Sequence, residues 1–244
     1  MSDTKVDLHI TEDYQSLSLQ AAQFIFHLIQ QNPRAVLCCA TGSTPTQTYK
    51  DLAGLVREKK TDTSELTIVK LDEWVGLEPT NTSSCEYYLQ TFVLKPLGIP
   101  QSNFISFKSN ESNPEEECQI IRKQLEDRGT PIDLCIIGLG LNGHLGFNEP
   151  GTEPTDHAHV VTLTQETLHH TMLSGNTQPI TQGMTLGLQD ILDSKVALLL
   201  INGVNKQTQF RRLMSKEVTK EFPASYLWKH PNFVCFVDKV AFYT

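Results

Sequence analysis

The sequence predicts one α/β domain over residues 1–244, with a Rossmann-like, open, mostly parallel sheet and helices on both faces. Short apolar runs alternate with longer amphipathic segments along the whole chain. The apolar runs are continuous, which is typical of strands covered on both faces. No internal repeat, low-complexity segment or linker interrupts this alternation.

In the first half of the chain, two buried strands alternate with helices. Residues 11–31 predict a helix, because Leu17, Ala21 and Ile25 recur on one face. The run AVLCCA at 35–40 predicts a strand that leads into a second helix. LTIVKL at 66–71 predicts the next strand, and residues 87–97 a further helix.

The second half repeats this pattern. Residues 115–128 predict a helix with Ile120, Ile121 and Leu125 buried, and Gly129 would end it. Residues 151–162 are polar and predict a loop that is a candidate lid. The other predicted elements are strands at 132–137, 196–201 and 233–237, and short helices at 185–191 and after residues 202 and 222.

Composition excludes several classes of function. The 244 residues are 39% hydrophobic and carry a formal net charge of −8 without any basic run, so we expect no nucleic-acid partner. No stretch approaches the roughly 20 apolar residues of a membrane span, and the first ten residues lack a signal-peptide pattern. None of the six cysteines forms a C-x-x-C pair. We therefore expect a cytoplasmic protein without disulfides or a metal site.

The loop after the first predicted strand is a candidate anion site. Thr41, Gly42, Ser43 and Thr44 precede Pro45, so Ser43 or Thr44 would cap the next helix. Free backbone N–H groups at a helix start suit a phosphomonoester. The stretch lacks the G-x-x-x-x-G-K-[ST] pattern of a nucleotide P-loop. Taken alone, it fits a plain capped helix start equally well.

Two further loops carry titratable side chains. Asp72 and Glu73 follow the second strand, where acidic residues act as bases or bind sugars, or simply form a solvated turn. His144 and Glu149 lie in the glycine-rich stretch after the strand at 132–137. Since histidine titrates near neutrality, His144 is a candidate acid or base that Glu149 would orient. Loops at the carboxyl ends of parallel strands meet at one sheet edge, which predicts a shared pocket.

Taken together, ATGSTP at 40–45, KLDEW at 70–74 and GLGLNGHLGFNEP at 138–150 resemble the superfamily of glucosamine-6-phosphate deaminases and 6-phosphogluconolactonases. FNEP is the deaminase form of the third motif. LDEW, TLGLQDIL at 185–192 and PASYLW at 223–228 are most similar to galactosamine-6-phosphate isomerases (deaminating).

The resemblance implies that galactosamine 6-phosphate and water become tagatose 6-phosphate and ammonia, a step of amino-sugar catabolism. The alternative is a glucosamine-6-phosphate deaminase that forms fructose 6-phosphate. A 6-phosphogluconolactonase or a non-catalytic sugar-phosphate sensor is less favoured. A sensor of this fold usually carries an N-terminal DNA-binding segment, and a first helix near residue 13 leaves no room for one. No metal or organic cofactor is implied, and a homo-oligomer is compatible with the superfamily.

By resemblance, His144 opens the sugar ring and Asp72 moves a proton from C2 toward C1. Glu149 would hold His144 in the useful tautomer, as the third group of a triad does. Lys206 would reach the phosphate as a point charge. Asn142 stands where glucosamine enzymes carry Asp, and it would still accept a hydrogen bond from His144.

Glu73, Gly143 and His170 are further candidate substrate contacts. The superfamily also has a phosphate-binding Arg, but the corresponding stretch here reads LTQETLHHTML, so His169 or His170 would replace it. The basic residues that serve allosteric activation in some glucosamine enzymes are missing from HAHVV at 157–161. We therefore expect no such activation.

Overall fold

The computed structural model describes residues 6–169, 171–174 and 176–243. Within them, the strands are β1 (Asp7–Thr11), β2 (Val36–Cys39), β3 (Thr67–Lys70), β4 (Asp72–Trp74), β5 (Phe104–Ile105), β6 (Leu134–Gly138), β7 (His159–Thr162), β8 (Gln182–Thr185), β9 (Ala197–Ile201) and β10 (Phe233–Asp238). The α-helices are α1 (Tyr14–Gln31), α2 (Ser43–Lys59), α3 (Cys85–Leu89), α4 (Lys95–Leu97), α5 (Pro114–Asp127), α6 (Gln165–Leu168), α7 (Leu188–Leu192), α8 (Gln207–Met214) and α9 (Lys239–Phe242). A π-helical turn covers Gln90–Leu94, and 3₁₀ turns cover Gln101–Asn103, Thr171–Leu173, Val204–Lys206 and Pro223–Lys229.

The main sheet has the strand order β1-β10-β9-β6-β2-β3-β5, and each of its described pairs is parallel. The chain runs outward from β2 through β3 to β5. It then returns to the other side of β2 at β6 and continues through β9 and β10. The direction of winding therefore reverses between β2 and β6. In open α/β sheets, a crevice forms at the carboxyl ends of the strands at such a reversal.

The sheet is covered on both faces, as the continuous apolar runs predict. Within β2, Leu37 and Cys39 pack into a core with α1 and α2. Val36 and Cys38 point the other way, into a core that includes Phe210 of α8. Because successive side chains of a strand point to opposite faces of the sheet, they contribute to two separate hydrophobic cores. In the described part of the chain, no helix combines the length and apolarity needed to cross a membrane.

The five predicted strands are present as β2, β3, β6, β9 and β10, whereas the edge strand β1 was not predicted. Thr11 belongs to β1, so the first helix begins later than expected, at Tyr14. Its cap is Asp13, whose carboxylate accepts the N–H of Ser16 at 2.7 Å. β1 is half-exposed and polar, and it lacks the apolar run that marks the central strands.

A second, antiparallel sheet of order β4-β8-β7 was also missed. It shows that the candidate lid at 151–162 is wrong in its second part, because His159–Thr162 forms β7. The helix expected at 185–191 instead begins at Leu188, after β8. The pairings that define this sheet join residues far apart in sequence, such as Asp72 with Thr185. Local patterning does not reveal such pairings.

Three helix details also differ from the predictions. Gly42 caps α2, and neither Ser43 nor Thr44 does so, because the chain turns there at φ +104°, a region that favours glycine. The helix expected at 87–97 already begins at Cys85 and widens into the π-helical turn at 90–94. Ile120 is exposed on α5, although burial was expected.

Candidate active site

A cleft of about 470 Å³ opens at the carboxyl ends of the central strands, where the winding of the sheet reverses. Loops after β2, β3, β6 and β9 line it together with α6 and the 3₁₀ turn at 171–173. The sequence-predicted residues that line the cleft are Thr41, Gly42, Ser43, Thr44, Asp72, His144 and Lys206. The predicted convergence of three loops on one pocket is therefore present in the structure.

The start of α2 forms one wall of the cleft. Gly42 turns the chain so that the first backbone N–H groups of the helix, which have no intrahelical acceptor, lie at the cleft. The Thr44 hydroxyl donates to Asn202 Oδ1 at 2.8 Å, and the Thr41 hydroxyl donates to Cys85 Sγ at 3.3 Å. These two hydroxyls are engaged with the protein, which leaves the backbone amides and the Ser43 hydroxyl as the candidate anion donors of this loop.

Lys206 reaches the same cleft from the loop after β9. Burial lowers the pKa of its ammonium group to about 8, because desolvation disfavours the charged form. A phosphate dianion beside the ammonium would favour that form again. The helix start and Lys206 thus line the same cleft, a combination of backbone N–H groups and an ammonium group that would suit an anion.

Asp72 is buried at the first position of β4. Burial, followed by the neighbouring negative charge of Glu73, raises the pKa of the Asp72 carboxyl to about 7. The Cys85 thiol, 3.7 Å from Asp72 Oδ1, and the Lys70 ammonium act in the opposite direction. A carboxyl group that titrates near neutrality suits proton transfer at working pH.

Glu73 lies outside the cleft, contrary to its prediction as a substrate contact. Its side chain is fully buried, 2.7 Å from the Lys70 Nζ, and it accepts the backbone N–H groups of Trp74, Cys85 and Glu86. Adjacent residues of a strand point to opposite faces, so Asp72 and Glu73 cannot both face the cleft. Glu73 therefore fixes α3 against β4.

His144 and Glu149 lie together beside the cleft. His144 Nδ1 is 3.7 Å from Glu149 Oε2 and 3.4 Å from the Thr167 hydroxyl, so Nδ1 is the ring nitrogen that faces these two side chains. Burial raises the pKa of Glu149, but the nearby imidazole of His144 and hydrogen bonds from Thr167 and Asn142 outweigh it and hold this pKa at about 2. Glu149 is therefore a fixed negative charge behind the imidazole.

Asn142 contacts this pair differently from the expectation. Its Oδ1 accepts the backbone N–H of His144 at 3.1 Å and not an N–H of the ring, while its Nδ2 donates to Glu149 Oε2 at 2.7 Å. Gly143 does not line the cleft either. It packs against Phe222, whose ring occupies the space of a side chain at residue 143. Asn142 and Gly143 thus shape the loop around His144.

The segment expected to replace the phosphate-binding Arg is only partly described. His169 lines the cleft, and its Nδ1 is 2.5 Å from the carbonyl oxygen of Gln165. His170 lies outside the described residues. Of the two candidate histidines, the structure therefore describes His169, directly after α6, at the cleft.

Two residues beside the predicted groups were not found from the sequence. Thr167 of α6 donates to Glu149 Oε1 at 2.5 Å, and Cys85 of α3 contacts Asp72. The T-x-x-T spacing at 164–167 is a helix-cap signal, since Thr164 caps α6. Nothing local marks Cys85, because buried cysteines usually act as small apolar residues.

The fold and the cleft are typical of an α/β enzyme, with a carboxyl group, an imidazole and an ammonium group at the carboxyl ends of the strands. The chain matches the family described as glucosamine-6-phosphate isomerases/6-phosphogluconolactonase over residues 11–235. It therefore belongs to this family.

Individual members of the family show how similar the chain is to known proteins. The chain is 42% identical over 231 residues to AgaI of Escherichia coli (strain K12), which is named provisionally as a deaminase, across 95% of this chain and 91% of that protein. It is 37% identical to the glucosamine-6-phosphate deaminase of Shouchella clausii (strain KSM-K16), across 96% and 95% of the two chains. A solved monomeric glucosamine-6-phosphate deaminase superposes with a TM-score of 0.90 at 32% identity, covering 97% of this chain and 98% of that one.

These comparisons confirm the resemblance read from the three motifs. They also confirm the predicted fold class and the prediction of an enzyme of the amino-sugar-6-phosphate deaminase family.

Proposed function

We propose that the protein is a galactosamine-6-phosphate isomerase (deaminating), which converts D-galactosamine 6-phosphate and water into D-tagatose 6-phosphate and ammonia. One observation carries this proposal: the start of α2, Lys206, Asp72 and His144 line a single cleft. The cleft volume of about 470 Å³ lies within the usual range for small-molecule sites.

The phosphate binds where positive potential is concentrated. The amides at residues 42–44 donate to its oxygens, and the Lys206 ammonium balances its charge. His169 takes the place of the missing arginine and makes a further contact. Anchoring the 6-phosphate at this end leaves the sugar ring to extend toward Asp72 and His144, so the reacting carbons are held beside both groups.

Ring opening is the first step, and His144 performs it. Because Nδ1 faces Glu149 and Thr167, Nε2 is the ring nitrogen that serves the substrate. The imidazole takes the proton of the 1-hydroxyl and returns a proton to O5 as the C1–O5 bond breaks. The fixed negative charge of Glu149 stabilises the transient imidazolium, as the carboxylate of a catalytic triad does.

Isomerisation follows through Asp72. Its carboxylate removes the proton from C2 of the open-chain aldehyde, whose amino group enters as an ammonium, and one ammonium proton passes to the aldehyde oxygen O1 to give an enolamine. The proton held by Asp72 is then delivered to C1. The C2–nitrogen bond becomes an iminium, which water hydrolyses to the ketone with release of ammonia. No oxidant is consumed, because C1 is reduced as C2 is oxidised.

The galacto epimer is supported by the motifs LDEW, TLGLQDIL and PASYLW together with Asn142. The gluco epimer is the alternative, because relatives at 32–37% identity are named glucosamine-6-phosphate deaminases. A paired assay tests the choice. The purified protein is incubated with each epimer, and ammonia and ketose 6-phosphate are measured. Higher kcat/KM on galactosamine 6-phosphate is expected, and activity on the gluco epimer alone would refute the assignment.

Lactone hydrolysis and ligand sensing are tested with the same preparation. The FNEP form of residues 147–150 disfavours a lactonase, so 6-phosphogluconolactone should not be hydrolysed faster than in buffer. A sensor would bind a sugar phosphate without turnover. In that case the wild type and Asp72→Asn would bind galactosamine 6-phosphate alike, and neither would release ammonia.

A further inference from the structure

Cys85 lies between the anion-binding loop and the candidate base. Its thiol is fully buried, and its Sγ is 3.7 Å from Asp72 Oδ1. The Thr41 hydroxyl donates to the same Sγ at 3.3 Å. With one lone pair of the sulfur occupied by Thr41, the S–H hydrogen is directed at the Asp72 carboxylate.

The position of Cys85 is set by buried charges. Its backbone N–H donates to Glu73 Oε1 at 3.0 Å, and the N–H of Glu86 donates to Glu73 Oε2 at 2.8 Å. Lys70 Nζ lies 2.7 Å from Glu73 and 3.1 Å from Glu86, which neutralises the pair. The start of α3 is therefore tied to β4, and the thiol has little freedom to leave Asp72.

We propose that Cys85 is a positioning residue, whose S–H donates to Asp72 and holds that carboxylate in its proton-transferring orientation. The proposal rests on the proposed function only for its kinetic consequence. The contact also predicts a spectroscopic signature that needs no substrate. Cys85 itself is inert as a nucleophile, because burial keeps the pKa of its thiol well above the usual range.

Donation to a carboxylate favours its ionised form. Removing the thiol should therefore raise the pKa of Asp72, and the acid limb of kcat/KM should move to higher pH. The other titratable or charged groups around Asp72, which remain in place when Cys85 is changed, are Cys38 on β2, Lys70 on β3, Glu73 on β4 and His144 after β6.

The kinetic test compares Cys85→Ala with Cys85→Ser. The Ala variant should move the acid limb up by about half a pH unit, a loss of about threefold in kcat/KM at pH 6. The Ser variant should keep the wild-type profile, because its hydroxyl still donates. Cys235→Ala is the matched control, since Cys235 is a fully buried thiol on β10 away from the cleft. A Ser variant that behaves like the Ala variant, or an unmoved Ala profile, would overturn the proposal.

The second test reads the S–H stretching band in infrared difference spectra between pH 5 and pH 9, without substrate. Ionisation of Asp72 strengthens the hydrogen bond from Cys85, so one S–H band should shift to lower frequency in the wild type. The band should not shift in Asp72→Asn. This comparison does not depend on turnover or on the folding of a Cys85 variant. A pH-independent S–H region in the wild type would refute the contact even if the enzyme is active.

Discussion

The ionised carboxylate of Asp72 should lower the free energy of unfolding, although the proposed reaction requires it. The residue is 6% exposed, and the pKa of its carboxyl group is raised from 3.8 to about 7. The folded state therefore binds the proton more tightly than the unfolded state. As pH rises from about 4 to 7, unfolding releases a proton and the free energy of unfolding falls. Above pH 7 the full cost of the buried charge is present.

Asp72→Asn removes this cost with little change of shape. A shift of about three pH units corresponds to on the order of 4 kcal/mol at pH 8. At pH 5 the wild-type carboxyl is mostly protonated in the fold, and the cost is roughly 2 kcal/mol. The stability advantage of the variant should therefore grow between pH 5 and pH 8, while ammonia release falls at least 100-fold.

Urea unfolding followed by circular dichroism at both pH values measures the difference. Asp133→Asn is the control, because Asp133 is another buried aspartate but accepts the Val36 N–H at 2.8 Å and pairs with Lys195 at 2.7 Å. That variant should lose stability. If Asp72→Asn is no more stable than the wild type at pH 8, or gains equally at pH 5, burial does not govern the Asp72 titration.

Three further outcomes are expected. Lys206→Met should raise KM at least tenfold with a smaller effect on kcat, and the KM of the wild type should rise above pH 8 as Lys206 loses its charge. Lys220→Met, which changes a surface lysine, is the control. An unchanged KM in Lys206→Met would contradict this role. Gly140→Ala should lower kcat/KM at least tenfold, because the added methyl group would overlap the His144 ring. Gly54→Ala is the control and should retain activity, since the space around Gly54 is open. Equal activities of the two variants would refute the packing argument. N-acetylglucosamine 6-phosphate should not accelerate turnover, and a rise in initial rate would refute the interpretation of residues 157–161.

Strands that lie in the middle of the main sheet could be predicted because they are apolar on both faces. β2, β6 and β9 are such runs, and their positions agree with the sequence prediction to within one or two residues. β1 and β7 were not predicted because they are short, partly exposed strands that lack a continuous apolar run. Their stability comes from hydrogen bonds to distant strands, which leave no local pattern.

The site residues likewise fall into those that local sequence marks and those that only tertiary contacts reveal. Thr41, Asp72 and His144 could be singled out because each follows a strand in a loop of unusual composition, and parallel strands bring such loops to one edge. Cys85 and Thr167 could not, because their importance lies in one contact each with a residue remote in sequence.

The amino-acid sequence by itself determined the layered α/β architecture and which loops carry the reacting groups, since both follow from local apolar runs, glycines and polar residues at strand ends. Tertiary structure alone decided that Asp72 faces the cleft and Glu73 the interior, and that burial brings the pKa of Asp72 to about 7. The physical reason is that desolvation and hydrogen bonding depend on the residues that surround a group in space. Those residues come from β2, β3, β4 and α3 together.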